Sequence, residues 1–276
     1  MSQISTADIS KLRTLTGAGM MDCKNALVEG NGDVEKAIEI IRKRGQAIAN
    51  KRADREAGEG AVLSIVSDDN KVGVIMALNC ETDFVAKNDN FVGLAKLILN
   101  AALVNKPATL EDLRNLEIKG KSTTDFILDN IAAIGEKVEI SYYEKIEAEF
   151  VVPYIHNGNK LATLVGFNKA IANIQVGKDV AMQVAAMNPV AVDKGDVSNQ
   201  TIEKEIEIGK EQARREGKPE EMLERIAQGK LNKFYSESTL LNQEFVKDNK
   251  KTIRQYLTET DKDLTVVSFK RCSLTV

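Results

Sequence analysis

Residues 72–88 read VGVIMALNCETDFVAKN. The run Val72–Leu78 is apolar and short enough for a strand. Ala61–Val66 precedes it across the turn Asp68-Asp69-Asn70, so the two stretches predict a hairpin. The texture then changes, as Thr82-Asp83 and Lys87-Asn88 close in on a single apolar pair, Phe84-Val85. A buried strand is not flanked so tightly by charge, and an amphipathic helix needs apolar positions recurring every three to four residues. The placement of this pair decides how the hairpin joins the rest of the chain.

The hairpin has a second copy. Phe150–Ile155, the turn at Asn157-Gly158 and Leu161–Phe167 predict another one, and Asn159-Lys160-Leu161 lies 89 residues after Asn70-Lys71-Val72. Each hairpin leads to an apolar, alanine-rich helix ending near a proline: Phe91–Asn105 before Pro107, and Asp179–Met187 before Pro189. Here Val92-Gly93 matches Val176-Gly177 at a spacing of 84, so the first copy carries five additional residues, which fall within CETDFVAKND. A hairpin covered by a helix, twice over, is an α+β plan. Leu264–Cys272 reads as a final strand returning to the second copy's sheet.

Helical modules are expected on either side. Thr6 caps a helix to about Arg13, a glycine-rich link leads to Met21–Glu29, and Asp33 caps a third helix with Val34, Ala37, Ile38 and Ile41 on one face. Three short helices around a Gly-Met loop resemble a ubiquitin-associated-type domain, a partner-binding module. Residues 42–57 are rich in Arg and Lys without interleaved aromatics, which favours a solvated linker or helix end over a nucleic-acid patch. Farther on, 201–216 and 220–234 are charge-rich helices broken at Gly217-Lys218-Pro219, which predicts an antiparallel helical hairpin projecting into solvent. The expected division is therefore a helical module over 1–45, a linker over 46–57, one core subdomain over 58–140, a second over 141–198 and 235–276, and the helical hairpin over 199–234.

Composition narrows the function. The chain has 276 residues, 43% apolar and 29% charged, with a net charge of −3, so no global basic field draws it to nucleic acid or an anionic membrane. No apolar run reaches the ~18 residues of a membrane span, and the N-terminus lacks a signal-peptide layout, so a cytoplasmic protein is expected. The three cysteines, Cys23, Cys80 and Cys272, lack metal-ligand spacing and are expected to be buried free thiols. His156 is the only histidine, which removes most hydrolase triads and multi-histidine metal sites, and no phosphate-binding loop is present. A binding protein without cofactor or covalent chemistry fits better than an enzyme.

Two readings of residues 81–88 remain on these grounds. In one, Thr82 or Asp83 caps a short turn, Asp89 caps the next helix and Phe84 fills the core. In the other, an inserted loop between sheet and helix presents an apolar wedge beside an acid to another protein.

ETDFVAKN, however, resembles the TDFVA(K/R)N signature of the elongation factor Ts family. LTGAGMMDCKNAL and NGDVEKAIEIIRKRG resemble its N-terminal module, HNGNKL its second-subdomain hairpin, and GKPEEMLERIAQGKLNKFYSESTLLNQEFVKD its coiled-coil arm and the return from it. The resemblance implies a guanine-nucleotide exchange factor for elongation factor Tu, which binds the GDP-bound and nucleotide-free partner and binds no nucleotide itself. It implies that Asp83 and Phe84 enter the partner's GTP-binding domain near its Mg²⁺ and phosphate region, with Thr82, Val85, Ala86, Lys87 and Asn88 shaping the loop. It also implies a second contact through His156, and the N-terminal module, where Met20 is the candidate, touches the GTP-binding domain. The alternative is a polypeptide- or RNA-binding adaptor using the helical module and the basic stretch.

Overall fold

A computed structural model describes residues 4–275 and begins with three helices: α1 (Thr6–Thr16), α2 (Met20–Glu29) and α3 (Val34–Lys51). Ser5, not Thr6, caps α1, because Asp8 returns the bond. Ser5 Oγ accepts from the Asp8 N–H at 3.1 Å while the Asp8 carboxylate accepts from the Ser5 N–H at 3.2 Å. Asp33 caps α3 as expected, accepting from the N–H groups of Glu35 and Lys36. Ile9, Leu12, Cys23, Leu27 and Ile41 are the centre of this module.

The first sheet comes next. Strands β1 (Glu59–Val66) and β2 (Val72–Cys80) form the expected hairpin. After it come α4 (Asp83–Ala86) and α5 (Asp89–Asn105). Between α5 and the next long strand lie elements that a hairpin-plus-helix pattern does not contain. They are α6 (Leu110–Asn115), the two-residue strands β3 (Glu117–Ile118) and β4 (Lys121–Ser122), and α7 (Thr123–Ile134). Strand β5 (Glu139–Glu147) then pairs with β2, giving the order β1-β2-β5. The first subdomain thus extends past the boundary expected at residue 140, because β5 satisfies the backbone groups of β2 that β1 does not reach.

The boundary expected at residue 45 also falls inside an element, since α3 continues to Lys51 through the first half of the expected linker. Gly45 is not a stop signal here. A Cβ at that position would lie 2.9 Å from the Leu128 carbonyl oxygen, so the glycine lets α3 press against α7.

The second unit contains β6 (Phe150–Ile155), β7 (Leu161–Phe167) and α8 (Ile174–Met187). The helical hairpin is α9 (Asn199–Arg215) and α10 (Glu220–Ser238), about 26 and 29 Å long at 1.5 Å per residue. Its seam is Gly209, Ala213, Leu223, Ala227 and Leu231, and its flanks are charged pairs such as Lys210–Glu224. The chain returns through β8 (Glu244–Phe245), β9 (Asp248–Thr252), α11 (Ile253–Thr260) and β10 (Val266–Ser273). As expected, β10 closes the second sheet, in the order β10-β7-β6.

The two sheets pack back to back. Val62, Ile75, Ala77 and Ile146 meet Val151, Ala162, Leu164 and Cys272, while α5 covers the outer face of one sheet and α8 that of the other. Strand β2 is buried along its whole length. The copies are tied by reciprocal bonds 89 residues apart. The Val62 N–H donates to the Asn159 carbonyl at 2.7 Å, and the Val151 N–H donates to the Asn70 carbonyl at 2.6 Å. Both asparagines turn their hairpins at φ 56°, a left-handed position that asparagine tolerates better than most residues.

Candidate functional site

The stretch 81–88 is a single helical turn set between β2 and α5. Thr82 caps it, its Oγ1 accepting from the Val85 N–H at 3.4 Å. Asn88, rather than Asp89, caps α5, accepting from the Asn90 N–H at 2.9 Å. Ala86 is buried and Val85 half-buried against the core under α5, which fixes the inner side of the turn. Phe84 points the other way and is 83% exposed, which removes the core-filling reading. Half-buried Asp83 and exposed Lys87 pair at 2.6 Å, and Asn88 is exposed. The Lys87 hydrogen bond, with the added charge of Lys160, holds the Asp83 carboxyl below the usual carboxylate range.

Behind the turn, two carboxylates brace it. Glu81, with a side chain only 10% exposed, accepts from Arg52 Nη1 through both oxygens at 2.8 Å, from Arg55 at 3.0 Å and from the Lys137 N–H at 2.7 Å. Burial pushes this carboxyl up, but the hydrogen bonds from Arg52, the Lys137 N–H and Arg55 outweigh it and bring it down to about 2. Glu136 accepts from the N–H groups of Glu81 and Thr82, both at 3.0 Å, and from the Thr82 hydroxyl at 2.6 Å. The sequence gives no local signal for Glu136, which lies 54 residues from Thr82 along the chain.

The hairpin carrying His156 reaches the same rim. His156 is exposed at the end of β6, its Nδ1 2.9 Å from the Tyr154 hydroxyl. In the same turn, Lys160 pairs with Glu59 at 2.8 Å, and Glu59 faces Cys80 across the ladder at the end of β2 where the Asp83 turn begins. Met20 stands at the start of α2, 55% exposed, with Leu15, Met21 and Val28 also open. A groove of about 540 Å³ runs from Gly17 at the end of α1 past Phe126 and Ala133 to Val85 and Asn88; Met20 does not line it.

The basic stretch is largely committed within the chain: Arg42 pairs with Asp129, Arg44 with Glu29, and Arg52 and Arg55 with Glu81. All three cysteines are buried free thiols, and burial pushes Cys80 to about 12 and Cys272 to about 11. Among the described residues no cluster of His, Cys, Asp or Glu is placed to hold a metal ion, and no helix is long and apolar enough to cross a membrane.

Comparison with known proteins gives one consistent result. The sequence profile of a family described as Elongation factor TS matches residues 81–275. Proteins named Elongation factor Ts are 55% identical to this chain in Amoebophilus asiaticus, over 97% of this chain and 98% of that one, and 55% identical in Porphyromonas gingivalis, over 98% of each. The Cytophaga hutchinsonii protein of the same name is 53% identical over 99% of this chain and all of its own length.

Proposed function

The chain belongs to the elongation factor Ts family and is a nucleotide exchange factor for elongation factor Tu; from that premise we propose that the Asp83–Phe84 turn is the part that dislodges the nucleotide. The observation that carries this is the exposure of Phe84 on a turn whose other side is anchored in the core. An aromatic ring held open to water at a braced position is suited to insertion between packed elements of a partner.

The physics is a linkage. A factor that binds the nucleotide-free partner more tightly than the GDP-bound one weakens GDP by the same coupling factor. Phe84 parts packed elements beside the partner's nucleotide site, which displaces the backbone N–H groups and Mg²⁺ ligands that hold the phosphates. Asp83 brings acceptor oxygens and negative charge to groups that otherwise serve metal or phosphate. Thr82, Val85, Ala86, Lys87 and Asn88 set the turn's shape. His156 and Met20 make further contacts, His156 from the second sheet's hairpin and Met20 from the N-terminal module. GDP leaves from the partner's own site and is never bound by this chain, no covalent chemistry takes place on this chain, and the work is done in the cytoplasm. An RNA-binding adaptor would need the arginines of 42–55 free, and their internal ion pairs count against that alternative.

The test is stopped-flow release of fluorescent GDP from the cognate elongation factor Tu. Wild-type chain is expected to accelerate release, and Phe84→Ala to reduce the acceleration by roughly tenfold or more, about 1.4 kcal/mol of lost barrier lowering. Full acceleration by Phe84→Ala would move the mechanism away from this turn.

A further inference from the structure

Resting on that reading of the turn, we infer that Glu136 is its positioning residue: through Glu136, the end of α7 sets the direction in which Phe84 leaves the sheet.

The geometry begins where β2 ends. Cys80 is the last residue of the strand, and the next two N–H groups, of Glu81 and Thr82, have no strand to pair with. One carboxylate oxygen of Glu136 takes both, at 3.0 Å each. The other oxygen accepts the Thr82 hydroxyl proton at 2.6 Å. That second bond has a directional effect. A hydroxyl has one proton and two lone pairs, so once the proton is aimed at Glu136 a lone pair is free for the Val85 N–H, which is the cap that starts α4. Fixing this rotor fixes the first turn of the helix, and Phe84 is its second residue.

Glu136 is delivered by its own local structure. Gly135 ends α7 in the left-handed region, at φ 76°, and accordingly turns the chain out of the helix axis toward 81–82. The exchange is mutual, since the Glu81 carboxylate accepts from the Lys137 N–H. The two carboxylates nonetheless differ. Glu81 carries the ion pairs to Arg52 and Arg55, which join the end of the N-terminal module to the sheet. Glu136 forms no ion pair with Lys or Arg among the described residues, and its hydrogen bonds all go to the base of the turn. It is half-buried, not a core residue. Its bonding therefore serves the orientation of the turn rather than the attachment of one subdomain to another.

The experiment is a double-mutant cycle on GDP release with Glu136→Ala, Phe84→Ala and the pair, each measured over a range of factor concentrations. Expected is a fall of roughly threefold to tenfold in the maximal release rate for Glu136→Ala, and no further fall when it is added to Phe84→Ala, the full coupling of residues acting as a unit. Glu136→Gln keeps an acceptor oxygen for the two N–H groups but sets a donor NH2 against the Thr82 hydroxyl, and is expected to restore only part of the rate. An unchanged rate in Glu136→Ala, or an equal fall with and without Phe84, overturns the inference and leaves the turn's function standing. If Phe84→Ala alone releases GDP at the wild-type rate, the functional reading itself falls, and the inference with it. If Glu136→Ala does not fold, Thr82→Val removes the same hydroxyl bond, and a fall that persists in the Phe84→Ala background would overturn the inference equally.

Discussion

The Asp83 carboxylate and the Lys87 ammonium meet at 2.6 Å across one turn of α4, on the same outward side of the molecule as Phe84. The pair is solvent-screened and holds nothing else in place. Lys87→Ala is therefore expected to leave the thermal midpoint unchanged. Asp83→Asn is expected to fold equally well and to slow GDP release. Circular dichroism melts beside exchange kinetics check both.

Phe84 and Phe91 are seven positions apart in sequence and differ completely in environment, at 83% and 1% exposed. Phe91→Ala is expected to cost about 3–5 kcal/mol, as truncation of a core aromatic does. Phe84→Ala is expected to leave the denaturation midpoint where it was. Urea titrations of the two variants side by side would expose an error if Phe84→Ala shifted comparably.

Glu81 gives the fold an acid-sensitive joint. Its carboxyl sits near 2 when folded, against an ordinary 4.5, so the folded state binds its proton less readily than the unfolded chain does. The stabilisation is fully present above pH 4.5 and is lost as pH falls from there toward 2. Unfolding free energies measured from pH 7 to 2.5 are expected to fall more steeply in wild type than in Glu81→Gln.

Gly73 sits in the interface between the two sheets. A methyl group there would lie 2.7 Å from Val151 Cγ1 and 2.9 Å from Leu164 Cδ2, both on fully buried side chains. Gly73→Ala is expected to destabilise by roughly 1–3 kcal/mol, and Gly73→Val by more. Calorimetry on the two variants checks the order.

The duplicated hairpins were readable because their turns demand particular chemistry. Asn70 and Asn159 each take a left-handed conformation, and a turn signal of that kind survives in a bare sequence. The five additional residues at 80–89 were readable for a related reason, since a length difference between copies marks a loop. Long-range pairing was not readable. Strand β5 joins β2 from more than fifty residues away, and Gly45 looks like punctuation until α7 is seen against it. At the site, the residues around Phe84 left a core-filling and an exposed ring equally readable, and only the family resemblance pointed to the exposed one; Glu136 and Arg52 carry no local pattern linking them to residue 81 or 82. The cap at Asn88 instead of Asp89 is a one-residue shift of the kind that boundary reading commonly leaves.

Strand β2 has one more consequence. It lies between β1 and β5 and is covered on both faces, and Phe84 stands just beyond its end. A load applied to the ring passes through its turn into the end of a strand buried along its whole length. Close-packed interiors have low compressibility, so little of that load is lost in recoil. On the proposed reading, the partner yields while the strand behaves as a fixed anvil.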